Sequence, residues 1–342
     1  MDESATSTQP GRHAAEARSS RATTSGVVVD IAGVPVLLRA SDAQRAAAMV
    51  ELMERLPPTN RRPMASLVFT DRPDPWPQRE PDEVHDDLLV WRRTGDETRD
   101  LVLAHATGLT VTVTGTDAHI GGECEWLGVG FRRLFPLALC PVLALHDRIL
   151  LHGGAFVVPV GAFLALGPTG SGKSTLVLAA DRAGWRCLAD DLVVLRLDGG
   201  LEVQGIPRPL AAPADVVVTT DHDARAQALP DDHRGRFLLT DLRLADGWFP
   251  VAGTLLVGHS ERAEGELLGV PGRETLLAAI GCFHGAGQPA LLRRAYPYLA
   301  SLGRLPAWRL LHGAEPSRRL DAAVTHLERA SGELGAASSN LP

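Results

Sequence analysis

Lysine is almost absent from this sequence of 342 residues. Of its 34 basic side chains, 33 are arginine, and Lys173 is the only lysine. Positive charge is not in excess either, because the formal net charge is -7 and the arginines form no dense block. A protein that binds nucleic acid by releasing counterions needs such an excess. We therefore expect no nucleic-acid partner, and we expect the single compact ammonium group to serve one particular place in the fold.

Cysteines and long apolar runs are also scarce. The four cysteines are far apart and form no CxxC pair, so we expect reduced thiols rather than a disulfide framework or a zinc site. No apolar run approaches the roughly 20 residues that a membrane-spanning helix needs. The first 26 residues are polar and lack the apolar segment of a signal peptide. These absences predict a cytoplasmic protein without a membrane partner.

Composition and periodicity divide the chain into four parts. Residues 1–26 are rich in Ser, Thr, Ala and Arg and are predicted to be a disordered leader. Residues 27–145 carry short strand-like runs and two predicted helices, at 41–56 and 128–145, which indicates a small α+β domain. Residues 146–331 are predicted to form a second domain of α/β type, and residues 332–342 a flexible tail.

The second domain begins with alternating strand and helix signals. An apolar run at 162–166 precedes a glycine-rich segment, and a helix is predicted from 173 to 183, where Gly184 closes it. Another apolar run at 185–189 gives the next strand. This order predicts a βαβ unit with the glycine-rich segment at its first turn.

That glycine-rich segment satisfies the pattern G-x-x-x-x-G-K-[ST] between a strand and a helix. Its glycines allow successive backbone N–H groups to converge on phosphate oxygens, and the helix N-terminus adds partial positive charge. Lys173 is expected to bridge the β- and γ-phosphates, and the Ser174 hydroxyl to bind Mg²⁺. We expect ATP with magnesium; the alternative is a turn that only caps a helix. The segment, called the phosphate loop below, consists of Gly167, Pro168, Thr169, Gly170, Ser171, Gly172, Lys173, Ser174 and Thr175.

Two adjacent carboxylates follow the next predicted strand. Asp190 and Asp191 are expected at the carboxyl end of that strand, the edge at which open α/β sheets bind ligands. Phosphoryl transfer requires a carboxylate that holds metal and a group that orients or deprotonates the attacking hydroxyl. We assign Asp190 to the general base and Asp191 to Mg²⁺, with the order left open because neighbouring residues on a strand point opposite ways. The alternative is a helix cap or turn.

Three separated elements together resemble a known family. Leu151-His152-Gly153, the phosphate loop and Leu188-Ala189-Asp190-Asp191 occur in the order and at the spacing typical of the catalytic domain of HPr kinase/phosphorylase. The resemblance covers residues 148–197. It implies a P-loop domain of HPr-kinase type, with a mixed sheet and helices, preceded by a smaller α+β domain. It also implies that His152, Lys173 and Asp190 are catalytic, that the second Asp holds metal, and that the chain is a homo-oligomer.

The sequence departs from that family at several positions. Thr175 stands where the family has Glu, Glu202 is a faint counterpart of its EIRG segment, and Arg273 of its GRNL segment. Arg208, in Pro-Arg-Pro-Leu, resembles the HPr-kinase-like proteins of peptide or natural-product gene clusters. We expect Arg208 to face a phosphate or an acidic substrate and Arg273 to neutralise transition-state charge, although either is equally a plain surface arginine.

These features predict an ATP-dependent kinase. The acceptor would be a serine-like hydroxyl on a small protein, a peptide or a small metabolite, and the N-terminal domain would recognise it. HPr itself is not carried over as the acceptor. Two other classes of function stay open at this stage. One is a P-loop NTPase that acts as a switch, and the other is a nucleotide-sensing scaffold without turnover.

Overall fold

The structure is a computed structural model that describes most of the chain after the predicted leader. The described residues are 26–41, 56–85, 88–94, 99–122, 129–208, 210–213, 227–228, 236–239, 244–262, 265–285, 287–313 and 318–339. Residues 1–25 of the predicted leader and residues 42–55 of the first predicted helix lie outside this set. The chain divides into two compact units, Met1–Leu134 and Phe135–Pro342.

The first unit contains a mixed sheet of eight strands in the order β1-β2-β3-β8-β7-β6-β5-β4. Strands β1 and β2 form a hairpin, because Ala32 and Gly33 both adopt the positive φ angles that a tight two-residue hairpin turn requires. Strand β3 alternates buried and half-buried residues, as expected for a sheet with one covered face. The strands are β1 (Val27–Ile31), β2 (Val34–Ala40), β3 (Ala65–Thr70), β4 (Glu83–His85), β5 (Leu88–Arg92), β6 (Leu101–His105), β7 (Thr110–Thr114) and β8 (Asp117–Gly121).

The second unit is built on a mixed sheet of nine strands in the order β12-β10-β11-β18-β14-β13-β9, in which β20 pairs with β18 and β19. Three short strands form a further sheet in the order β15-β17-β16. The strands are β9 (Ile149–His152), β10 (Gly154–Val158), β11 (Gly161–Leu166), β12 (Arg186–Ala189), β13 (Leu192–Leu197), β14 (Leu201–Gly205), β15 (Leu210–Pro213), β16 (Gln227–Ala228), β17 (Arg236–Leu239), β18 (Phe249–His259), β19 (Glu266–Gly269) and β20 (Ala307–His312).

Five helices occur among the described residues, so the fold is a mixed α/β fold. They are α1 (Val129–Ala144), α2 (Lys173–Arg182), α3 (Gly272–Cys282), α4 (Pro289–Leu302) and α5 (Arg319–Ser339). Helix α2 matches the predicted helix to within one residue. Helix α5 extends beyond the predicted end at 331 because Leu334 packs in the core, so residues 332–339 are helical rather than tail. None of the described helices combines the length and the hydropathy needed to cross a membrane.

The chain bends sharply at two places in the second unit. Strand β9 continues into β10 across Gly153, and β12 continues into β13 across Asp190 and Asp191. Since β9 pairs with β13 while β10 pairs with β12, both bends lie at one corner. The Gly153 N–H donates to the Asp191 carbonyl at 3.0 Å and ties the two bends together. This corner brings His152 close to the acidic pair.

The core of the second unit holds the loop-bearing strand and helix in place. Strand β11 lies between β10 and β18 and is buried along almost its whole length, and burial on both faces of the sheet explains its uninterrupted apolar run. Helix α2 buries Leu176 and Val177 in the same apolar cluster as Leu327 of α5 and Trp308 of β20. The phosphate loop therefore lies between two elements that the core fixes.

Candidate phosphate-binding and catalytic site

The phosphate loop leaves the carboxyl end of β11 and leads into α2. Strands β18 and β20 run parallel to β11 and end at the same edge. Gly170 and Gly172 have φ angles of 84° and 98°, in the left-handed region that glycine adopts without steric cost. The Ser171 N–H donates to the Pro168 carbonyl at 3.1 Å and forms a turn at the tip of the loop. The backbone conformation thus depends on the glycines of the motif.

The Lys173 side chain folds back over its own loop. Its Nζ donates to the carbonyl oxygens of Gly167 at 2.8 Å and Pro168 at 3.0 Å. Burial lowers the pKa of the ammonium, while the nearby carboxylates of Asp190 and Asp191 oppose that shift. Anionic phosphate oxygens are stronger acceptors than these neutral carbonyls, so a nucleotide would draw the ammonium away from them.

Asp190, at the end of β12, lies beside the loop. Its carboxylate accepts hydrogen bonds from the Ser174 side chain and, at 3.3 Å, from the Ala211 N–H. Its Oδ1 is buried and has no hydrogen-bond partner among the described residues. Burial and the neighbouring charge of Asp191 raise its pKa, although the hydrogen bonds and Lys173 oppose the shift. Buried polar atoms are normally hydrogen-bonded, so an oxygen without a partner in this position marks Asp190 as a candidate for a functional role.

Asp191 has different neighbours from those of Asp190. Its Oδ1 lies 2.9 Å from His152 Nδ1, and its Oδ2 lies 2.6 Å from Nη1 of Arg208. Arg208 is only 8% exposed, so the structure places it inside the site rather than on an outer surface loop. The Arg208 guanidinium largely compensates the negative charge of Asp191.

His152 is the last residue of β9, opposite Leu192 of β13. Because Nδ1 faces a carboxylate, the ring carries its hydrogen there. Its Nε2 is buried without a hydrogen-bond partner in the described part of the chain. That nitrogen therefore has a lone pair directed away from Asp191.

His284 joins this cluster, although its position in the sequence gave no indication of it. Its ring meets that of His152 edge to face with centroids 6.1 Å apart. Burial and the neighbouring His152 lower the pKa of His284 to about 4, so this ring is neutral at pH 7. Motif spacing could not find His284 because it follows α3, far along the chain from the phosphate loop.

Two predicted residues lie elsewhere. The Glu202 carboxylate pairs with Arg196 at 2.5 Å. Glu202 lies three residues before the carboxyl end of β14, so about 10 Å of strand separates it from that end. Arg273 is exposed in the first turn of α3. The opposite end of that helix reaches the loop, because Sγ of its last residue, Cys282, contacts the Gly167 carbonyl at 3.8 Å. Nine residues of helix separate the two ends by about 14 Å.

The remaining loop residues differ in exposure. Pro168 and Thr169 are exposed at the tip, whereas Ser171 and Thr175 are buried. Within the described residues, no group of three or more His, Cys, Asp or Glu side chains is arranged to hold a metal ion. Mg²⁺ is usually bound by one or two carboxylates together with substrate phosphates and water. Ser174 and Asp190 form such a partial donor set.

Comparison with known proteins adds little to this geometry. No family model matches the sequence. No curated protein sequence matches it either. Among solved structures, the HPr(Ser) kinase/phosphatase from Coxiella burnetii aligns with 54% of this chain and 98% of its own, at 13% identity and a TM-score of 0.27. That score is too low to support a conclusion about fold or function, so the interpretation depends on the site itself.

Proposed function

We propose that this protein is an ATP-dependent phosphotransferase that moves the γ-phosphoryl group to a hydroxyl on a small protein, a peptide or a small metabolite. One observation carries the proposal. The half-buried carboxylate of Asp190 is hydrogen-bonded to the Ser174 hydroxyl of a loop that also holds the only lysine of the chain. Cation, hydroxyl and carboxylate side by side are the groups that phosphoryl transfer uses to neutralise and align phosphates.

The loop would bind the nucleotide through its backbone and through Lys173. The N-terminus of α2 provides N–H groups and partial positive charge. Lys173 would exchange the carbonyls of Gly167 and Pro168 for β- and γ-phosphate oxygens. Its pKa, lowered by burial, would recover when the phosphates arrive, because an adjacent anion favours the charged ammonium.

Ser174 and Asp190 are the residues that would hold Mg²⁺. When bound, the ion would neutralise charge on the phosphate oxygens that Lys173 does not reach. Asp191 is less suited to this task, because Arg208 already compensates its charge at 2.6 Å. The proposal thus moves the metal-binding role from Asp191, where the sequence had suggested it, to Asp190.

His152 would then act as the general base. Its Nε2 takes the proton of the acceptor hydroxyl while that oxygen forms a bond to the γ-phosphorus and the bond from the γ-phosphorus to the β–γ bridging oxygen breaks. ADP leaves with the electrons of that bond. Asp191 orients the imidazole and stabilises its protonated form, as the carboxylate does in other carboxylate–histidine pairs. General-base catalysis of this kind contributes about 10² to 10⁴-fold.

Binding of Mg·ATP tests the first half of the proposal. Isothermal titration calorimetry of the full chain should give a dissociation constant for the wild type and a loss of about 100-fold for Lys173→Ala. Asp190→Asn should weaken the Mg²⁺-dependent part of the affinity, whereas His152→Ala should leave binding intact. Glu202→Gln is the matched control, because this carboxylate pairs with Arg196 away from the loop. Failure of the wild type to bind Mg·ATP would end the proposal.

Transfer of radiolabel from [γ-³²P]ATP to a panel of hydroxyl-bearing peptides, small proteins and metabolites tests the second half. His152→Ala should lose transfer, and added imidazole should restore part of it. Transfer that survives His152→Ala but not Asp190→Asn, with Mg·ATP binding intact in both, would return the base to Asp190. Turnover of ATP with no hydroxyl acceptor in the panel would instead indicate an NTPase switch.

A further inference from the structure

Two histidines lie against the backbone of the phosphate loop. His259 is the last residue of β18 and His312 the last of β20. The parallel register places them opposite each other, with ring centroids 5.9 Å apart. Neither belongs to the loop motif, and neither touches the acidic pair through any contact described above. Both rings instead face loop carbonyls.

Each ring donates to one loop carbonyl. His259 Nε2 lies 2.8 Å from the Gly170 oxygen, and His312 Nε2 lies 3.0 Å from the Gly172 oxygen. Because a carbonyl oxygen only accepts hydrogen bonds, each Nε2 carries a hydrogen. His312 is 3% exposed, whereas His259 is exposed, so the His312 bond is the better shielded of the two.

The fit of His312 against the loop requires a glycine. A Cβ at position 172 would lie 2.3 Å from Cδ2 of the His312 ring. The Gly172 oxygen also accepts the Leu176 N–H at 3.0 Å, the first backbone bond of α2. The ring therefore contacts the residue at which the loop becomes a helix.

This contact fixes the direction of the next N–H group. In a planar trans peptide the carbonyl and the following N–H point opposite ways. Holding the Gly172 carbonyl on the His312 side of the loop therefore turns the Lys173 N–H to the other side. A loop held in one conformation before its ligand arrives binds that ligand more tightly, because less ordering is needed on binding.

We propose that His312, assisted by His259, is a positioning residue that holds the phosphate loop in its anion-binding conformation before the nucleotide arrives. The inference rests on the proposed function, since it assumes that the loop binds phosphate. It assigns to the ends of β18 and β20 a task that the loop motif by itself does not contain. The buried ring should contribute more than the exposed one.

The test compares removal of the donor with its replacement. Leucine removes it, whereas the Gln side-chain amide can donate from about the same reach as Nε2. We expect His312→Leu to weaken Mg·ATP binding about tenfold, His312→Gln to restore most of that loss, and His259→Leu to weaken binding about two- to threefold, the net value of one hydrogen bond. Calorimetry measures the affinities, and thermal unfolding of the same samples reports folding.

His146→Leu is the matched control, since His146 lies in the turn after α1, six residues before His152. This variant should bind Mg·ATP as tightly as the wild type does. Because His259 is exposed, its variants fold even where a change at the buried ring does not. Equal Mg·ATP affinity in wild type, His312→Leu and His259→Leu would overturn the inference, and so would equal losses for His312→Leu and His312→Gln. If Lys173→Ala loses binding in that experiment, the proposed function survives. A wild type that binds no Mg·ATP would overturn both.

Discussion

Acid should destabilise this protein through His312. Burial, together with the charges of His259, Arg319 and His326, lowers the pKa of this ring from 6.5 to about 4, although its bond to the Gly172 carbonyl acts in the opposite direction. The unfolded imidazole takes up a proton near pH 6.5, but the folded one does so only near pH 4. Between these values the unfolded chain binds more protons, so stability falls as the pH falls.

The size of the effect follows from the two pKa values. Their difference, 6.5 minus about 4, is roughly 2.5 units, and each unit corresponds to about 1.4 kcal/mol. The full loss is therefore about 3.4 kcal/mol and is reached only below pH 4. At pH 5 the loss is about 2 kcal/mol, since most unfolded but few folded rings are then protonated. Above pH 7 His312 contributes no pH dependence.

Urea unfolding of the wild type and of His312→Gln at pH 8 and pH 5 measures this contribution. Glutamine does not titrate, and the carboxylates that also respond to acid are common to both proteins. The wild type should lose about 2 kcal/mol more between the two pH values than the variant does. Equal losses in the two proteins, at equal denaturant slopes, would refute the argument that the buried ring stays neutral in the folded state.

Three further changes test the site and its corner. Arg208→Met should lower the melting temperature by about 5–10 °C in calorimetry. Removing the cation that pairs with the Asp191 carboxylate should lower the free energy of unfolding by about 3 kcal/mol. An unchanged melting temperature would argue against the pair. Gly205→Ala places a Cβ 1.9 Å from a carbonyl of β12 and should lower the melting temperature in circular dichroism, whereas Gly269→Ala, with open space around it, should not. His284→Gln should remove a loss of about 2 kcal/mol in the free energy of unfolding at pH 5, since the pKa of this ring is also about 4. Urea unfolding measures this loss, and a variant that loses as much stability as the wild type would contradict the burial of His284 as a neutral ring.

The strands and helices next to the phosphate loop were predictable because their signals are local. The apolar run of β11 reflects burial on both faces, and Gly184 closes α2 with a positive φ of 81°. The second domain was predicted to end too early, at residue 331, because the amphipathic pattern weakens after that residue while Leu334 still packs in the core. Packing against α2 and β20, which lie far from α5 in the sequence, supplied what the local pattern lacked.

The site was predictable only in part. Lys173 and the acidic pair follow directly from a strand–loop–helix–strand segment, so their proximity follows from the sequence. Glu202 and Arg273 stood in segments with a faint family pattern, but the register of β14 and the length of α3 place them away from the loop. Short sequence similarity does not fix such positions, because strand register and helix length decide which end of an element reaches the site.

The sequence by itself determined the phosphate loop, since nine contiguous residues contain the glycines, the lysine and the hydroxyl that its conformation and chemistry need. Only the tertiary structure decided which other side chains surround it. His152 meets Asp191 because two strands bend at one corner, and His312 reaches Gly172 because β20 runs parallel to β18 and ends at the same edge. Contacts between residues far apart in the chain depend on strand order and register, which no local pattern specifies.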